Sequence, residues 1–369
     1  MRMIRRALPS LAAVLVLAGC ITRAPGIGET IAWNELPGWN DERPAEAWPQ
    51  LLLTCERMAP REVHWRRLCS DAALFPNPDD AIARAFFETR FAPHVLRTAE
   101  GETGLVTGYY EPLLEGRREK SVRFRYPIYG APADLVTVEL GALYPELNGR
   151  RLRGRLVGKR VLPYPNRAEI EAPSTTLPAP VLAWVDDPVA LFFLHIQGSG
   201  RVRFPDGTTL RVGYVDQNGH PYVAIGRTLV ERGALAPDAV DMPAIRAWLA
   251  ANPDQAASVL QSNPSYIFFA PRDATLPGPL GALEVPLLAE RAAAVDPKHV
   301  PLGSPLWVDT KLPQDVATYR RLLFALDTGG AIKGPVRVDV FFGYGKEAED
   351  RAGRMKQPGR VYALLPAPR

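Results

Sequence analysis

The sequence predicts a mainly β protein with few helices and two domains. It holds 37 prolines in 369 residues, and proline breaks helix interiors but is tolerated in turns and at strand edges. Short apolar runs bounded by turn residues recur along the chain, and Asp206-Gly207 joins two of them in the pattern of a β-hairpin. A chain of this length is sufficient for two domains, each with its own core.

Each predicted element follows from its apolar pattern. Strands are predicted at 105–110, 135–139, 189–196, 200–204, 208–214, 265–269, 306–308, 319–326, 336–342 and 361–365. Helical periodicity covers 48–58, 79–91, 224–233 and 242–261. A proline- and glycine-rich stretch at 275–281 indicates a domain boundary.

The amino terminus has the pattern of an export signal. Arg2, Arg5 and Arg6 precede an apolar stretch at 7–19, which is too short to span a bilayer. The residues Leu-Ala-Gly-Cys that end at Cys20 resemble a bacterial lipobox, which implies cleavage after residue 19 and acylation of Cys20. Since no Asp follows the cysteine, we expect an outer-membrane lipoprotein that faces the periplasm of a Gram-negative bacterium. A plain secretory signal with an incidental cysteine is the alternative.

The charge excludes one class of function. Without residues 1–19 the basic residues fall from 44 to 41 against 40 acidic ones, so the chain is nearly neutral and gives no support for nucleic-acid binding. One local basic segment remains, which is either a solvated strand-and-turn face or a surface that attracts an anionic polymer. Its residues are Arg150, Arg151, Arg153, Arg155, Lys159 and Arg160.

The cysteines and histidines exclude a metal site. Cys55 and Cys69 either form a disulfide, worth about 3 kcal/mol in an oxidising compartment, or remain free buried thiols. The five histidines are scattered, and no cluster has metal-ligand spacing. We therefore expect no metal and no cofactor.

Two acids near the carboxyl end are the strongest candidates for catalysis. An apolar run delivers Asp327 into a Thr-Gly-Gly turn, and Asp339 lies within the next apolar run. Desolvation among apolar neighbours raises the pKa of a carboxyl group toward the range that suits a general acid. Asp327 alone is better explained as a turn residue, whereas Asp339 is not, because Asp is depleted within strands.

Polar side chains also cluster at the ends of four other strand-like runs, where they are predicted to contact a sugar polymer. Aromatic faces pack on sugar C–H surfaces, and amides and hydroxyls suit sugar hydroxyls; core tyrosines and an Asn-Gly hairpin at 218–219 are the structural alternatives. The predicted contacts are Thr107, Tyr109, Tyr110, Glu111, Gln197, Ser199, Arg201, Tyr214, Asn263, Ser265 and Tyr266.

Together these motifs resemble the membrane-bound lytic murein transglycosylase A family, in the same order and over nearly the whole mature chain. The matching segments are GYYEP at 108–112, HIQGSGR at 195–201, NPSYIFF at 263–269, VPLGSPLWVD at 300–309, DTGGAIKG at 327–334 and GRV at 359–361. The resemblance implies a double-psi β-barrel, the 3D (three-Asp) domain, formed by 20–111 and 276–369. A second β-rich, barrel-like domain at 112–275 is inserted, with a long groove between the two.

The resemblance also implies an activity and its residues. It implies cleavage of the MurNAc-β-1,4-GlcNAc bond of peptidoglycan without water, which leaves a 1,6-anhydromuramoyl end. Asp339 matches the proton-transferring acid, Asp327 and Asp309 match the neighbouring acids, and Lys333 is expected to tune the site. Peptidoglycan strands, outer-membrane lipid and cell-wall synthesis complexes are the expected partners.

Two other functions share some of these features. A non-catalytic peptidoglycan-binding lipoprotein would use the groove and the tyrosines, but it has no use for a desolvated acid at Asp339. An aspartic peptidase would explain Asp327-Thr328-Gly329, but that chemistry needs two carboxyl groups that share a proton, and the chain has no second Asp-Thr-Gly.

Overall fold

The computed structural model describes residues 24–148, 150, 152–313 and 317–367. The predicted signal segment and Cys20 lie outside the described residues, as does Arg151 of the basic segment.

Strands and helices alternate irregularly along this part of the chain. The strands are Gly26–Thr30 (β1), Phe91–Arg97 (β2), Thr103–Glu111 (β3), Leu113–Arg117 (β4), Tyr126–Tyr129 (β5), Val136–Val138 (β6), Leu152–Val157 (β7), Arg160–Pro163 (β8), Val181–Val185 (β9), Ser199–Arg203 (β10), Thr209–Gln217 (β11), Ile267–Arg272 (β12), Ala292–Ala294 (β13), Pro305–Lys311 (β14), Thr318–Asp327 (β15), Arg337–Tyr344 (β16) and Lys356–Pro366 (β17). The α-helices are Trp48–Met58 (α1), Val63–Ala72 (α2), Asp80–Arg90 (α3), Arg167–Glu171 (α4), Pro188–Gln197 (α5), Ile225–Glu231 (α6), Met242–Ala251 (α7), Pro253–Leu260 (α8) and Gly345–Arg354 (α9). The predicted mainly β class is confirmed.

The largest sheet closes on itself. Its strand order is β1-β2-β17-β14-β15-β13-β16-β3, and β17 pairs with β3 as well. The first part of β17, Lys356–Arg360, pairs with β3, while residues 360–363 pair with β14. Strands from both ends of the chain therefore form one closed ring, to which β2 and β1 are added. The double-psi connection pattern stays a prediction.

A second sheet is built only from the middle of the chain. Its order is β12-β11-β10-β4-β9-β5, and β6, β7 and β8 form a separate three-stranded sheet. Hydrophobic clusters divide in the same way: two draw their buried residues from 36–110 and 283–364, and three draw theirs from 114–269. The boundaries of the predicted domains stay a prediction.

The two sheets meet where β3 passes into β4. Glu111, the last residue of β3, is completely buried and pairs with Arg201 of β10 and Arg211 of β11. A buried carboxylate needs such partners, because an unpaired ion in the interior is costly. This cluster ties the ring to the second sheet.

One predicted strand is wrong: residues 189–196 lie in the helix α5. The Asp187 side chain accepts a hydrogen bond from the Val189 N–H, Pro188 occupies the first turn, and Gly198 ends the helix at φ 77°. These are the cap, the proline and the left-handed glycine that favour a helix. The run is apolar on all sides because the helix is buried, which removes the helical periodicity that the sequence analysis relied on.

Two smaller expectations also change, and a third is confirmed. The helical pattern at 242–261 contains two helices, α7 and α8, with Pro253 at the start of the second. The next described element after Asn218-Gly219 is the helix α6, not a strand. The predicted Asn-Gly hairpin is therefore wrong. The Asp206-Gly207 hairpin is confirmed, since β10 pairs antiparallel with β11.

The structure also describes the two cysteines and part of the basic segment. Cys55 of α1 and Cys69 of α2 form a disulfide. Arg153 of the basic segment pairs with Asp216, while Arg155 and Lys159 are exposed. In the described part of the chain no helix has both the length and the apolar character needed to cross a membrane.

Candidate active site

The two candidate acids lie in one row across the ring. Ala294 of β13 pairs with Asp327 of β15 on one side and with Asp339 of β16 on the other. Asp339 pairs in turn with Thr107 of β3. Because neighbouring strands are about 4.8 Å apart, the backbones of the two acids are roughly 10 Å apart. The methyl side chains of β13 leave the space between the acids uncrowded.

Asp339 is a desolvated carboxyl group that still reaches the surface. Its side chain is partly exposed, yet burial dominates and raises the pKa of this carboxyl above its usual range. A hydrogen bond from the Thr107 hydroxyl and the charge of Arg337 act in the opposite direction, and the negative charge of Asp327 adds to the rise. A carboxyl group in this setting keeps its proton to higher pH than one in water.

Asp327 is held differently. One of its carboxylate oxygens accepts hydrogen bonds of 2.9 Å from the backbone N–H groups of Ala282 and Thr328, and the other accepts one of 3.0 Å from the Tyr109 hydroxyl. Burial raises the pKa of Asp327, while these three donors oppose the rise. Tyr109 is itself buried, and burial together with Asp327 and Asp339 raises the pKa of its hydroxyl far above the usual value. Asp327 is therefore a fixed acceptor rather than a free acid.

A third acid lies beside this row and was missed by the sequence analysis. Asp296, just after β13, is 4% exposed and accepts a hydrogen bond of 2.9 Å from the Gly334 N–H. The backbone N–H of Val295 donates to the Asp327 carbonyl, which joins the two segments. Burial tends to raise the pKa of Asp296, but the Gly334 and Lys298 N–H groups and the charge of Lys333 leave it lowered. Its position before a proline made it look like an ordinary turn residue.

Asp309 is not a neighbour of these acids, contrary to the expectation. It pairs in register with Arg320, seven residues before Asp327 on β15, which places it roughly 23 Å away along the strand. The Arg320 side chain donates to its carboxylate at 2.7 Å. Lys333 is exposed on the loop between β15 and β16.

Several predicted sugar contacts are buried, which corrects their assignment. Tyr110, Glu111, Asn263 and Tyr266 are at most 1% exposed, Ser265 is 7% exposed and Tyr109 is 8% exposed. Side chains without accessible surface do not contact a polymer. They are structural, which agrees with the alternative of core tyrosines for Tyr109 and Tyr110.

These buried groups have partners within the fold. The Tyr110 hydroxyl donates to Glu349 of α9 at 3.2 Å. Asn263 accepts from the Val223 N–H at 3.1 Å, and Tyr266 packs against the guanidinium of the buried Arg167.

The other predicted contacts keep accessible surface. Thr107, Gln197, Ser199, Arg201 and Tyr214 are all partly exposed. Gln197 accepts a hydrogen bond of 3.1 Å from the Tyr110 N–H, which brings the end of α5 to the ring. The Arg201 guanidinium lies 3.7 Å from the ring centre of the exposed Tyr344, at the end of β16.

Two surface depressions lie apart from the acids. One, of about 270 Å³, is lined by Leu113, Arg201, Arg203, Thr209, Arg211, Ala274 and Tyr344, where the two sheets meet. The other, of about 400 Å³, is lined by Arg155, Pro163, Tyr164, Pro165, Asn166, Glu169, Thr175 and His220. Among the described residues no group of three or more His, Cys, Asp or Glu side chains has the arrangement of a metal site.

This chain is similar to known proteins in both sequence and structure. Residues 105–270 match the MltA specific insert domain, and residues 291–365 match the 3D domain. The membrane-bound lytic murein transglycosylase A of Escherichia coli K12 is 34% identical over 269 residues, which are 71% of this chain and 66% of that protein. The match thus spans slightly less than two thirds of this curated relative.

Solved structures extend the likeness over almost the whole chain. The crystal structure of MltA from Neisseria gonorrhoeae has a TM-score of 0.79 and 39% sequence identity, and the match covers 91% of this chain and 92% of that one. E. coli MltA with bound chitohexaose has a TM-score of 0.71 and 26% identity, over 94% of this chain and 96% of that one. This chain belongs to the membrane-bound lytic murein transglycosylase A family.

Proposed function

We propose that this chain is a peptidoglycan lytic transglycosylase with Asp339 as its single acid–base residue. It cleaves the MurNAc-β-1,4-GlcNAc bond without water and leaves 1,6-anhydromuramoyl ends. The observation that supports this proposal most is the contrast between two carboxyl groups in one row. Both acids are desolvated and partly exposed, but donors occupy both oxygens of Asp327 and only one oxygen of Asp339.

This contrast suits a reaction that needs one acid. A glycoside hydrolase requires a second carboxylate to activate water or to attack the sugar, and Asp327 is held as an acceptor. When the attacking group is the C6 hydroxyl of the same sugar, no water needs activation. Holding that hydroxyl near the anomeric carbon supplies the large effective concentration of an intramolecular reaction.

The proton then moves twice through one group. Protonated Asp339 donates to the glycosidic oxygen as the bond from C1 to that oxygen breaks and positive charge develops on the ring. The Asp339 carboxylate next removes the C6 hydroxyl proton while O6 bonds to C1. This restores the acid and closes the anhydro ring. Burial keeps the pKa of Asp339 raised, and the negative charge of Asp327 adds to the rise, which favours the first step.

The relatives and the amino terminus support a location at a membrane. The curated relatives are named membrane-bound, and one solved relative holds chitohexaose. We infer a lipoprotein held in the outer membrane through acylated Cys20, with its glycan site in the periplasm. Peptidoglycan strands are its substrate, and the partly exposed Gln197, Ser199, Arg201 and Tyr214 are the proposed contacts, whereas the Thr107 hydroxyl donates to Asp339.

The test is digestion of purified murein sacculi followed by mass spectrometry of the soluble products. We expect anhydro-muropeptides from the wild type, none from Asp339→Asn, and undiminished sedimentation of that variant with sacculi. Asp309→Asn is the matched control, because Asp309 also lies on a ring strand but far from the row, and it should keep its activity. Products with reducing-end muramic acid, or substantial activity of Asp339→Asn, would contradict the proposal; binding without products would indicate a non-catalytic glycan-binding protein.

A further inference from the structure

We propose that Arg337 and Thr107 form a relay that determines which oxygen of Asp339 carries the reactive proton. Arg337 donates to the Thr107 hydroxyl, and that hydroxyl donates to Oδ1 of Asp339. The reactive proton therefore leaves from Oδ2 and returns to it. This inference rests on the proposed function, because it specifies how the single acid is oriented toward the glycosidic oxygen.

Strand geometry places the three groups side by side. Arg337 and Asp339 are two residues apart on β16, so their side chains point to the same face. On the parallel strand β3, Leu105 pairs with Arg337 and Thr107 pairs with Asp339. The guanidinium, the hydroxyl and the carboxyl group are consequently neighbours in a fixed order, set by the register of two strands.

The number of protons on each group determines which group donates each hydrogen bond in the relay. A guanidinium only donates hydrogen bonds, and a threonine hydroxyl has a single proton. The Arg337 Nη1 lies 2.8 Å from the Thr107 Oγ1, so the hydroxyl oxygen accepts there. Its one proton is then directed to Oδ1 of Asp339. Oδ1 is an acceptor in both protonation states, and Oδ2 is left to exchange the proton.

The guanidinium is itself held in place. The same Nη1 donates to the Val338 carbonyl at 2.9 Å, and the Arg337 side chain is partly buried. Burial lowers the pKa of Arg337, and the charge of Asp339 raises it, but a guanidinium remains charged in proteins. It polarises the Thr107 hydroxyl continuously, which makes that hydroxyl a better donor.

The relay supports the second half of the reaction. Four ionisable or polar groups face Asp339: Asp327 on β15, Thr107 and Tyr109 on β3, and Arg337 on β16. On β17, the exposed Lys356 pairs in register with Thr107. Burial and Asp327 favour the acid, while the Thr107 bond and Arg337 favour the carboxylate. A group that must act first as an acid and then as a base needs both influences.

Thr107→Val tests the relay, since valine has nearly the same shape without the hydroxyl. We expect kcat on soluble glycan strands to fall at least about tenfold with KM little changed, as for an interaction that acts in the transition state. Without the donor, the pKa of Asp339 rises, so the alkaline limb of the pH profile moves to higher pH. Thr107→Ser should restore both, and Arg337→Met should move the limb in the same direction by less.

Two controls separate this role from a structural one. Thr310→Val removes a comparable hydroxyl hydrogen bond, 2.7 Å to the Pro358 carbonyl on another ring strand, and should leave the pH profile unchanged. NMR titration of the Asp339 carboxyl carbon gives its pKa directly, with or without turnover. That readout distinguishes failure of the relay from failure of the proposed function.

An unchanged carboxyl pKa in Thr107→Val, in protein whose melting shows it to be folded, would overturn the relay. So would a loss of activity that Thr107→Ser does not restore. If Thr107→Val does not fold, the same titration on Arg337→Met decides the question.

Discussion

At the scale of single residues, two aspartates in one row differ because of their donors. Asp327 has three, two of them backbone N–H groups, and Asp339 has one that depends on Arg337. Burial raises the pKa of both, but only Asp339 has an oxygen left to exchange a proton with a ligand. The chemistry at this site is therefore decided by hydrogen bonding more than by burial.

Removing the charge of Asp327 should move the pH profile in the direction opposite to Thr107→Val. In Asp327→Asn the amide oxygen still accepts from Ala282 and Thr328, so the fold is kept. The negative charge that raises the pKa of Asp339 is lost, and Asp339 gives up its proton at lower pH. Because the acid must be protonated for the first step, we expect the alkaline limb of kcat/KM to move to lower pH, with a several-fold loss at neutral pH.

The measurement is the rate of anhydro product formation across the pH range in which the wild type is stable. Asp309→Asn provides the comparison, since that carboxylate pairs with Arg320 far from the row. A limb that stays in place or moves upward would show that Asp327 does not act on Asp339 through its charge.

Sequence patterns identified the two acids but not which polar residues face solvent. Asp339 was found because aspartate is unusual inside a strand. Tyr110 and Glu111 were wrongly predicted to contact sugar. The alternation of side chains along a strand shows which residues share a face, but it does not show which face α9 or the second sheet covers. Arg337 and Asp296 carried no local signal: their roles come from partners distant in the sequence, Thr107 and Gly334.

At the scale of elements, the junction between β3 and β4 depends on one buried carboxylate between two guanidinium groups. Arg201 and Arg211 pair in register on β10 and β11 and share Glu111. Burial lowers the pKa of Arg211, Glu111 raises it, and the charge of Arg201 lowers it further. The carboxylate shared by the two arginines compensates their repulsion.

Glu111→Gln should therefore destabilise the protein strongly. The amide keeps the shape but leaves two guanidinium groups without a counter-charge, and breaking a buried pair in this way costs about 3 to 5 kcal/mol. Urea unfolding followed by tryptophan fluorescence measures the change. Glu115→Gln is the matched control: Glu115 of β4 pairs with Arg203 of β10, but both side chains are about half exposed (48% and 55%).

We expect no measurable loss from that control. Equal effects of the two substitutions would show that the Glu111 cluster contributes no more than an exposed ion pair.

The helix α5 shows that an apolar sequence pattern alone does not distinguish a buried helix from a buried strand. Its apolar run has the composition of a buried strand, and only the preceding Asp187-Pro188 and the following Gly198 indicate a helix. Those cap signals were present in the sequence and outweigh the apolar pattern. By contrast, β3, β14, β15 and β16 of the ring were predicted to within three residues because each is apolar and bounded by turn residues, whereas the three alanines of β13 were not predicted.

At the scale of the whole molecule, the closed ring joins segments that lie more than 200 residues apart. β3 pairs with β16 and β17, so residues near 107 contact residues near 339 and 356. Local patterns carry no information about such pairings, because register between distant strands is set by packing after the chain has collapsed. The resemblance to a family, and not periodicity, gave the expectation of a domain made from both ends.

The separation of the hydrophobic clusters leads to a last prediction: the middle of the chain folds alone. Its three clusters contain buried residues only from 114–269, and its strands pair with one another. The fragment must begin at Glu111, since Arg201 and Arg211 need that carboxylate, and must extend past Gly278, whose carbonyl accepts from Arg211. We expect a fragment of residues 111–279 to show dispersed amide signals and a cooperative thermal transition.

A second fragment, residues 113–279, makes this prediction specific. It lacks only Glu111 and Pro112, and it should melt at a distinctly lower temperature, because the charge of the two arginines is then uncompensated. If both fragments are unfolded, the second sheet depends on the ring and the chain has one cooperative unit. If both fold with equal stability, the Glu111 cluster serves only to fix the two sheets relative to each other.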